Sequence, residues 1–224
     1  MNDPLCLIML GGEAPGLRAA QALTALLAEH PYLVAADRGA EHLLHLDLLP
    51  QLVVGDDDSL SPKAREACLQ AGVEWLSLPR AKDITDGEAA LQAALAAGYR
   101  HLAVFGAFGG NLDHLLGNLL LPLAYRGRWE SCIFYGESLR AYYCFGDLEL
   151  AGQPGDTISL VALAASVENI TLRGFRYPLT NHSTVLGSSL CLRNELAEQQ
   201  GHITFDNGIM LVIHYESPTM ENPL

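Results

Sequence analysis

The sequence predicts an α/β domain on a mostly parallel sheet over residues 1–130, followed by an all-β sandwich over residues 131–215. Two observations carry this prediction. In the first half, short apolar runs alternate with stretches of helical length, as a parallel sheet with crossover helices demands. From about Ser131 the texture changes to short β-rich runs punctuated by Gly, Pro, Asn and Asp, as in an antiparallel sandwich. The boundary is expected between Gly127 and Glu137, and residues 216–224, with Pro218 and Pro223 and little to bury, read as a flexible tail.

Taken in order, Leu5 to Leu10 is the first strand. It is preceded by Asp3 and no basic residue, and it is far too short to span a bilayer. Leu17 to Glu29 places Leu17, Ala20, Leu23 and Leu27 near helical spacing, giving one face for the sheet. Tyr32 to Ala36, Leu52 to Val54, Val73 to Leu76 and Leu102 to Phe105 are the next strands. Ser61 followed by Pro62, with Gly72 beyond, supplies cap, first turn and stop for a helix. Thr85 and Glu88 have capping-box spacing ahead of the strong helix formers Ala89 to Ala97, which Gly98 terminates. In the second half the runs Ile133 to Tyr135, Ala141 to Phe145, Thr157 to Val161 and Ile209 to His214 are strands of the sandwich.

Composition excludes some classes of partner. The 26 acids and 13 bases leave a formal charge of −13, a field that repels nucleic acid and anionic membrane alike. A phosphate-bearing substrate then needs local correction by metal ions, backbone N–H groups or a few basic side chains. No segment is an uninterrupted membrane-length apolar run, and Cys6, Cys68, Cys132, Cys144 and Cys191 show neither zinc nor disulfide spacing. Both features predict a cytoplasmic protein with reduced thiols.

The residues that could carry chemistry cluster after the strands. Gly55 to Ser59 reads GDDDS, and three consecutive carboxylates are costly unless a cation sits among them. In an extended segment Asp56 and Asp58 point to one side and Asp57 to the other, so two oxygens converge as Mg²⁺ requires. The plainer alternative is a solvated turn capping the next helix. Asp37 also follows a strand, at the edge where open α/β sheets bind ligands. Asp83 and Asp86 open the capped helix beside Lys82, where Asp86 is either a cap or a ligand to metal or phosphate water. Gly106 to His114, GAFGGNLDH, is a glycine-rich turn that admits a phosphate or base, or a tight turn with Asp113 as cap. GGEAPG, Gly11 to Gly16, lacks the GxGxxG offsets and is a phosphate-loop candidate of low specificity.

ADRGA (Ala36 to Ala40), Pro50 with GDDDS, KDITDGEAAL (Lys82 to Leu91) and GAFGGNLDHLLGN (Gly106 to Asn118), in this order, resemble the signature of the thiamine pyrophosphokinase family. GFRYPL (Gly174 to Leu179) and LGSSLCLRNE (Leu186 to Glu195) are similar to its late motifs, so the resemblance covers nearly the whole chain. It implies an α/β domain binding ATP and Mg²⁺, a β-sandwich, and a homodimer with thiamine clefts between subunits. It places Asp37, Asp56, Asp58, Asp83 and Asp86 on the acidic motif positions and Thr85 on the motif threonine. Asp56, Asp58 and Asp83 are the expected metal ligands. Gly109, Gly110, Asn111, Asp113 and Asn118 fall in the glycine-rich motif, with Arg38 and Lys82 as candidate countercharges for the leaving group. Ser189, Asn194 and Glu195 match the late motif that lines the thiamine site, and Trp129, Phe175 or Tyr177 could contact the thiamine rings. Three positions depart from the family pattern: Asn111 where arginine is frequent, Arg193 where serine is usual, and Arg38 where glycine is common.

The implied reaction is transfer of diphosphate from ATP to the thiamine hydroxyl, releasing AMP. The competing readings are a pyrophosphokinase for another alcohol, such as a hydroxymethyl-pterin, and a non-catalytic thiamine- or nucleotide-binding protein. The late motif argues against the first and retention of the carboxylates against the second.

Overall fold

A computed structural model describes residues 3–56, 60–78 and 83–217. The chain divides into two units, the first ending at Glu137 and the second beginning at Ser138.

The first unit runs β1 (Leu5–Met9), α1 (Leu17–Leu27), β2 (Tyr32–Ala36), α2 (Gly39–His45), β3 (Leu52–Gly55), α3 (Pro62–Gln70), β4 (Glu74–Ser77), α4 (Asp86–Ala96), β5 (His101–Phe105), α5 (Leu112–Ala124) and β6 (Ser131–Tyr135). All six strands are parallel, in the order β6-β5-β1-β2-β3-β4. Alternation along β1 sends Leu7 and Met9 into a core with Leu23 of α1, Leu43 of α2 and Ala64 and Cys68 of α3. Ile8 turns the other way, lining a small cavity with Leu91 of α4 and Leu121 and Pro122 of α5. With helices on both faces the inner strands are apolar apart from their first residues Tyr32 and His101, and each fully buried side chain such as Leu7 or Phe105 contributes about 1.5–3 kcal/mol.

The N-cap signals of α3 and α4 operate as read, but the Glu88 carboxylate accepts from Tyr125 Oη at 2.6 Å instead of closing a capping box. Ser61 Oγ accepts from Ala64 N at the start of α3, and Thr85 Oγ1 accepts from Glu88 N at 3.1 Å at the start of α4. α2 is an element the sequence leaves unassigned, because seven residues beginning with Gly39 present too short a period to recognise.

The second unit contains β7 (Leu139–Cys144), β8 (Asp147–Ala151), β9 (Thr157–Ala162), β10 (Ser166–Arg173), β11 (Leu179–Val185), β12 (Asn194–Glu195), β13 (Gln200–Thr204) and β14 (Met210–Tyr215). One antiparallel sheet is ordered β12-β9-β14-β7 and the other β11-β10-β13-β8. Leu160, Met210 and Val212 of the first meet Leu150, Ile170, Leu172 and Ile203 of the second in one core, which makes the unit a sandwich.

Two expectations need correction. Ile133 to Tyr135, assigned from sequence to the sandwich, belongs to β6, which pairs in parallel with β5 in the first unit. A short apolar run does not disclose the direction of its neighbour; the division itself falls at Glu137, the far end of the expected window of Gly127 to Glu137. The tail is anchored at its start. Arg140 Nε lies 2.8 Å from Glu216 Oε1, and Ser217 N donates to Asp156 Oδ1 at 2.8 Å. Residues 218–224 lie outside the described residues. The five cysteines are all free thiols, and burial pushes Cys6 up to about 12. Among the described residues no helix is long and apolar enough to cross a membrane.

Candidate active site

The carboxyl edge of the parallel sheet gathers the acidic motifs. β2 and β3 are neighbours with Ala36 opposite Val54, so Asp37 and Asp56 emerge one and two residues later from adjacent strand ends. Asp37 has φ 49°, an unusual conformation for a residue with a side chain, and its N–H donates to Val54 O at 2.9 Å. That bond ties the Asp37 turn to β3. α4 packs against β1, β2 and β3, and its first residue, Asp86, is half-buried, whereas Asp83 is exposed in the turn before it. Asp58 and Lys82, with Asp57 and Ser59, lie outside the described residues.

The loops beside these acids are packed backbone to backbone. Gly12 N donates to Gly106 O at 2.9 Å and Glu13 N to Phe108 O at 2.8 Å, joining the β1–α1 loop to the glycine-rich loop. These are the loops flanking the point where strand order reverses, the usual ligand crevice of such sheets. Gly109 and Gly110 adopt φ of 79° and 72°, which explains glycine at both positions. Asn111 is the N-cap residue of α5 but makes no side-chain cap bond. Asp113 accepts from His114 N at 2.9 Å. Asn118 Nδ2 reaches Ala107 O at 3.4 Å and its Oδ1 faces Gly87 of α4, so it stands between the glycine-rich loop and the start of α4. The N-terminus of α1, which follows the phosphate-loop candidate Gly11 to Gly16, is already engaged. Arg18 N and Ala19 N donate to the Glu137 carboxylate at 3.2 and 3.3 Å.

In the second unit the late motif is arranged around β12. Asn194 is only 4 % exposed, and its amide is consumed by backbone: Oδ1 accepts from Tyr177 N and Glu195 N, and Nδ2 donates to Tyr177 O. It therefore holds Tyr177 and Glu195 in place instead of presenting a polar group to solvent. The Glu195 carboxylate lies 2.6 Å from Arg176 Nη1, and the Arg176 guanidinium sits 5.7 Å from the Tyr177 ring centroid. Ser189 is exposed in the turn leading to β12, and Arg193, at φ 55°, donates its N–H to Ser159 Oγ.

Two family models match the chain: thiamin pyrophosphokinase, catalytic domain, over residues 23–132, and thiamin pyrophosphokinase, vitamin B1 binding domain, over residues 147–210. The thiamine pyrophosphokinase of Bacillus subtilis (strain 168) is 31 % identical over 195 residues, 85 % of this chain and 90 % of that protein. The chain belongs to the thiamine pyrophosphokinase family. A crystal structure of the Bacillus subtilis thiamine pyrophosphokinase matches with TM-score 0.85 at 27 % identity, over 95 % of this chain and 99 % of that one. The Geobacillus thermodenitrificans thiamin pyrophosphokinase matches with TM-score 0.83 at 30 % identity, over 96 % and 99 %.

The structure adds an anchor for Arg38, and in His42 and Glu41 it adds residues that the sequence reading passes over. Arg38 Nη2 donates to Gly11 O at 3.2 Å and His42 Nε2 lies 3.1 Å from Gly12 O, so one short helix carries two basic groups onto the β1–α1 loop. His42 follows Arg38 by one helical turn, a signal available only once α2 is recognised. The Glu41 carboxylate accepts from Ser61 N at 2.7 Å, a bond that holds it below the usual carboxylate range. It thereby fastens α2 to the N-terminus of α3, across 20 residues with no sequence signal. Of the three aromatic candidates, Trp129 and Phe175 are buried, and Tyr177 is 57 % exposed. Carboxylate oxygens are the donor type a hard divalent cation takes, but among the described residues Asp37, Asp56, Asp83 and Asp86 do not bring three ligand atoms within 4.8 Å of one another.

Proposed function

We propose that the protein is a thiamine pyrophosphokinase that transfers diphosphate from ATP to the thiamine hydroxyl. The hydroxyl oxygen forms a bond to the β-phosphorus as the bond from that phosphorus to the α–β bridging oxygen breaks. AMP leaves with that oxygen, and the hydroxyl proton passes to a base. The observation that carries this reading is the register that sets Asp37 and Asp56 on adjacent strand ends, with α4, which opens on Asp86, packed against the same strands. Bound there by Asp56, Asp58 and Asp83, Mg²⁺ would neutralise the charge of the transferring phosphates.

The chain's own groups divide the remaining work. The Asp37 turn, tied to β3 by its N–H bond to Val54 O, and the capped start of α4 hold carboxylates before substrate arrives, which lowers the reorganisation needed during reaction. Arg38, anchored on Gly11 O, supports the role of countercharge to the departing AMP. Gly109 and Gly110 let backbone approach the nucleotide, and Asn118 braces that loop against α4. In the sandwich, Tyr177 offers an exposed ring for the thiamine heterocycles, Asn194 holds the backbone of Tyr177 and Glu195, and Ser189 belongs to the same late motif.

The proposal extends to a cytoplasmic homodimer. Five unpaired thiols suit a reducing compartment, and Leu112, Leu116 and Leu120 form an exposed apolar stripe along α5, at 69 %, 50 % and 49 % exposure, that supports burial against a second copy. Incubation with ATP, Mg²⁺ and thiamine tests the reaction. AMP formed only when thiamine is present is the expected result; ADP, or no product, rejects it. Asp56→Asn should lower turnover on the order of a hundredfold with the fold intact.

A further inference from the structure

The parallel register also assembles polar groups at the opposite, amino-terminal edge of the sheet. Leu5 pairs with His101 and His101 with Ser131, so the residues just before β1 and β6 flank the first residue of β5. Asp3, His101 and Glu130 consequently present one ligand atom each, all within 4.8 Å of one another. We propose that these three side chains form a divalent-cation site, separate from the acidic motifs, that takes Zn²⁺ or another ion favouring mixed nitrogen and oxygen ligands.

The distances support an ion between the groups. His101 Nε2 is 3.4 Å from Asp3 Oδ2 and 3.5 Å from Glu130 Oε2, longer than good hydrogen bonds to a carboxylate. Ligands at about 2.0–2.1 Å in a tetrahedron stand about 3.3–3.4 Å apart, so the two gaps from His101 match its edges, and the two carboxylate oxygens lie within 4.8 Å of each other. The ligands are also oriented from behind. His101 Nδ1 lies 2.8 Å from Ser131 Oγ, and with that hydroxyl accepting, the imidazole proton sits on Nδ1 and the Nε2 lone pair faces the carboxylates. Arg100 Nε binds Glu130 Oε1 at 2.7 Å, which leaves Oε2 turned toward His101. The arginine charge opposes a cation, but two carboxylates in a chain of charge −13 outweigh it. Asp3, His101 and Ser131 line a cleft of about 410 Å³ with Glu29 and Tyr135, which gives a fourth, water ligand room to enter. The competing account is a protonated His101 ion-paired to both acids, with no ion bound.

Titration of tag-free, full-length protein with Co²⁺, in millimolar Mg²⁺ to occupy hard oxygen sites, separates the two. The expected result is one equivalent bound with the visible absorption of a tetrahedral ion, displaced by Zn²⁺. His101→Gln should lower affinity by more than tenfold and Ser131→Ala by about tenfold, the effect typical of a group behind a ligand. Asp56→Asn should leave this uptake unchanged, which distinguishes it from the acidic motifs. Asp3→Asn, a change at an exposed residue ahead of β1, should weaken binding in a protein whose circular dichroism is unaltered. Absence of uptake in Mg²⁺, or uptake unaffected by both His101→Gln and Asp3→Asn, overturns the proposal and leaves the ion pair.

Discussion

Gly39→Ala is the sharpest test of how the sheet edge is built. A β-carbon at Gly39 would stand 2.0 Å from Met9 O and 2.7 Å from Met9 C, about 1 Å inside the 3.0 Å that such contacts require. Both obstructing atoms are backbone, so no side chain can swing away, and α2 must lift from the end of β1. Overpacking of this kind costs about 1–3 kcal/mol, which for a chain of this length lowers Tm by about 2–12 °C. Asp37 lies two residues before Gly39, so a displacement near 1 Å reaches the carboxylate and should reduce kcat about a hundredfold. Gly117→Ala in α5 is the matched control, because its β-carbon meets nothing within 4 Å and should stabilise by up to about 1 kcal/mol. Scanning calorimetry and AMP formation measure both variants. Wild-type Tm and turnover in Gly39→Ala, or equal damage in Gly117→Ala, would refute the close-approach reasoning.

Thr85→Ala removes the bond to Glu88 N and should cost about 1 kcal/mol by chemical denaturation, with a further loss of turnover as Asp83 and Asp86 loosen. Tyr177→Ala should raise KM for thiamine while leaving KM for ATP unchanged, and a rise in the ATP value alone would remove Tyr177 from the thiamine site. Asp156→Ala should lose about 3–5 kcal/mol, because it strands His214 Nε2 and the N–H groups of Gln153 and Ser217 in the sandwich. Burial pushes the Asp156 carboxyl up, but those three donors more than offset it and hold it below the usual carboxylate range. Its stabilisation is therefore complete above about pH 4 and fades as pH falls through the lower folded value, so denaturation curves of wild type and variant should converge in acid. Parallel curves down to strong acid would contradict that ordering.

Local signals account for what could be read directly. Ser61 and Thr85 cap helices through bonds three residues away, and strand runs such as Tyr32 to Ala36 are apolar because both faces are covered, so each feature is written within a few residues. The acidic motifs were visible for the same reason: Asp37 and Asp56 directly follow their strands. Pairing direction is not legible in this way: the run Ile133 to Tyr135 reads as part of the sandwich because a parallel partner 30 residues away leaves no mark on it.

The sequence by itself determined the capped helices, the strands of the first unit up to β5, the family and the candidate chemistry, since caps, periodicity and motif order are properties of neighbouring residues. Tertiary structure alone decided which groups meet: Glu41 on Ser61, Glu137 on the start of α1, Asn194 on Tyr177, and Asp3 with His101 and Glu130. Those partners are brought together by strand register and loop closure, which depend on the whole packed core rather than on any local run of residues.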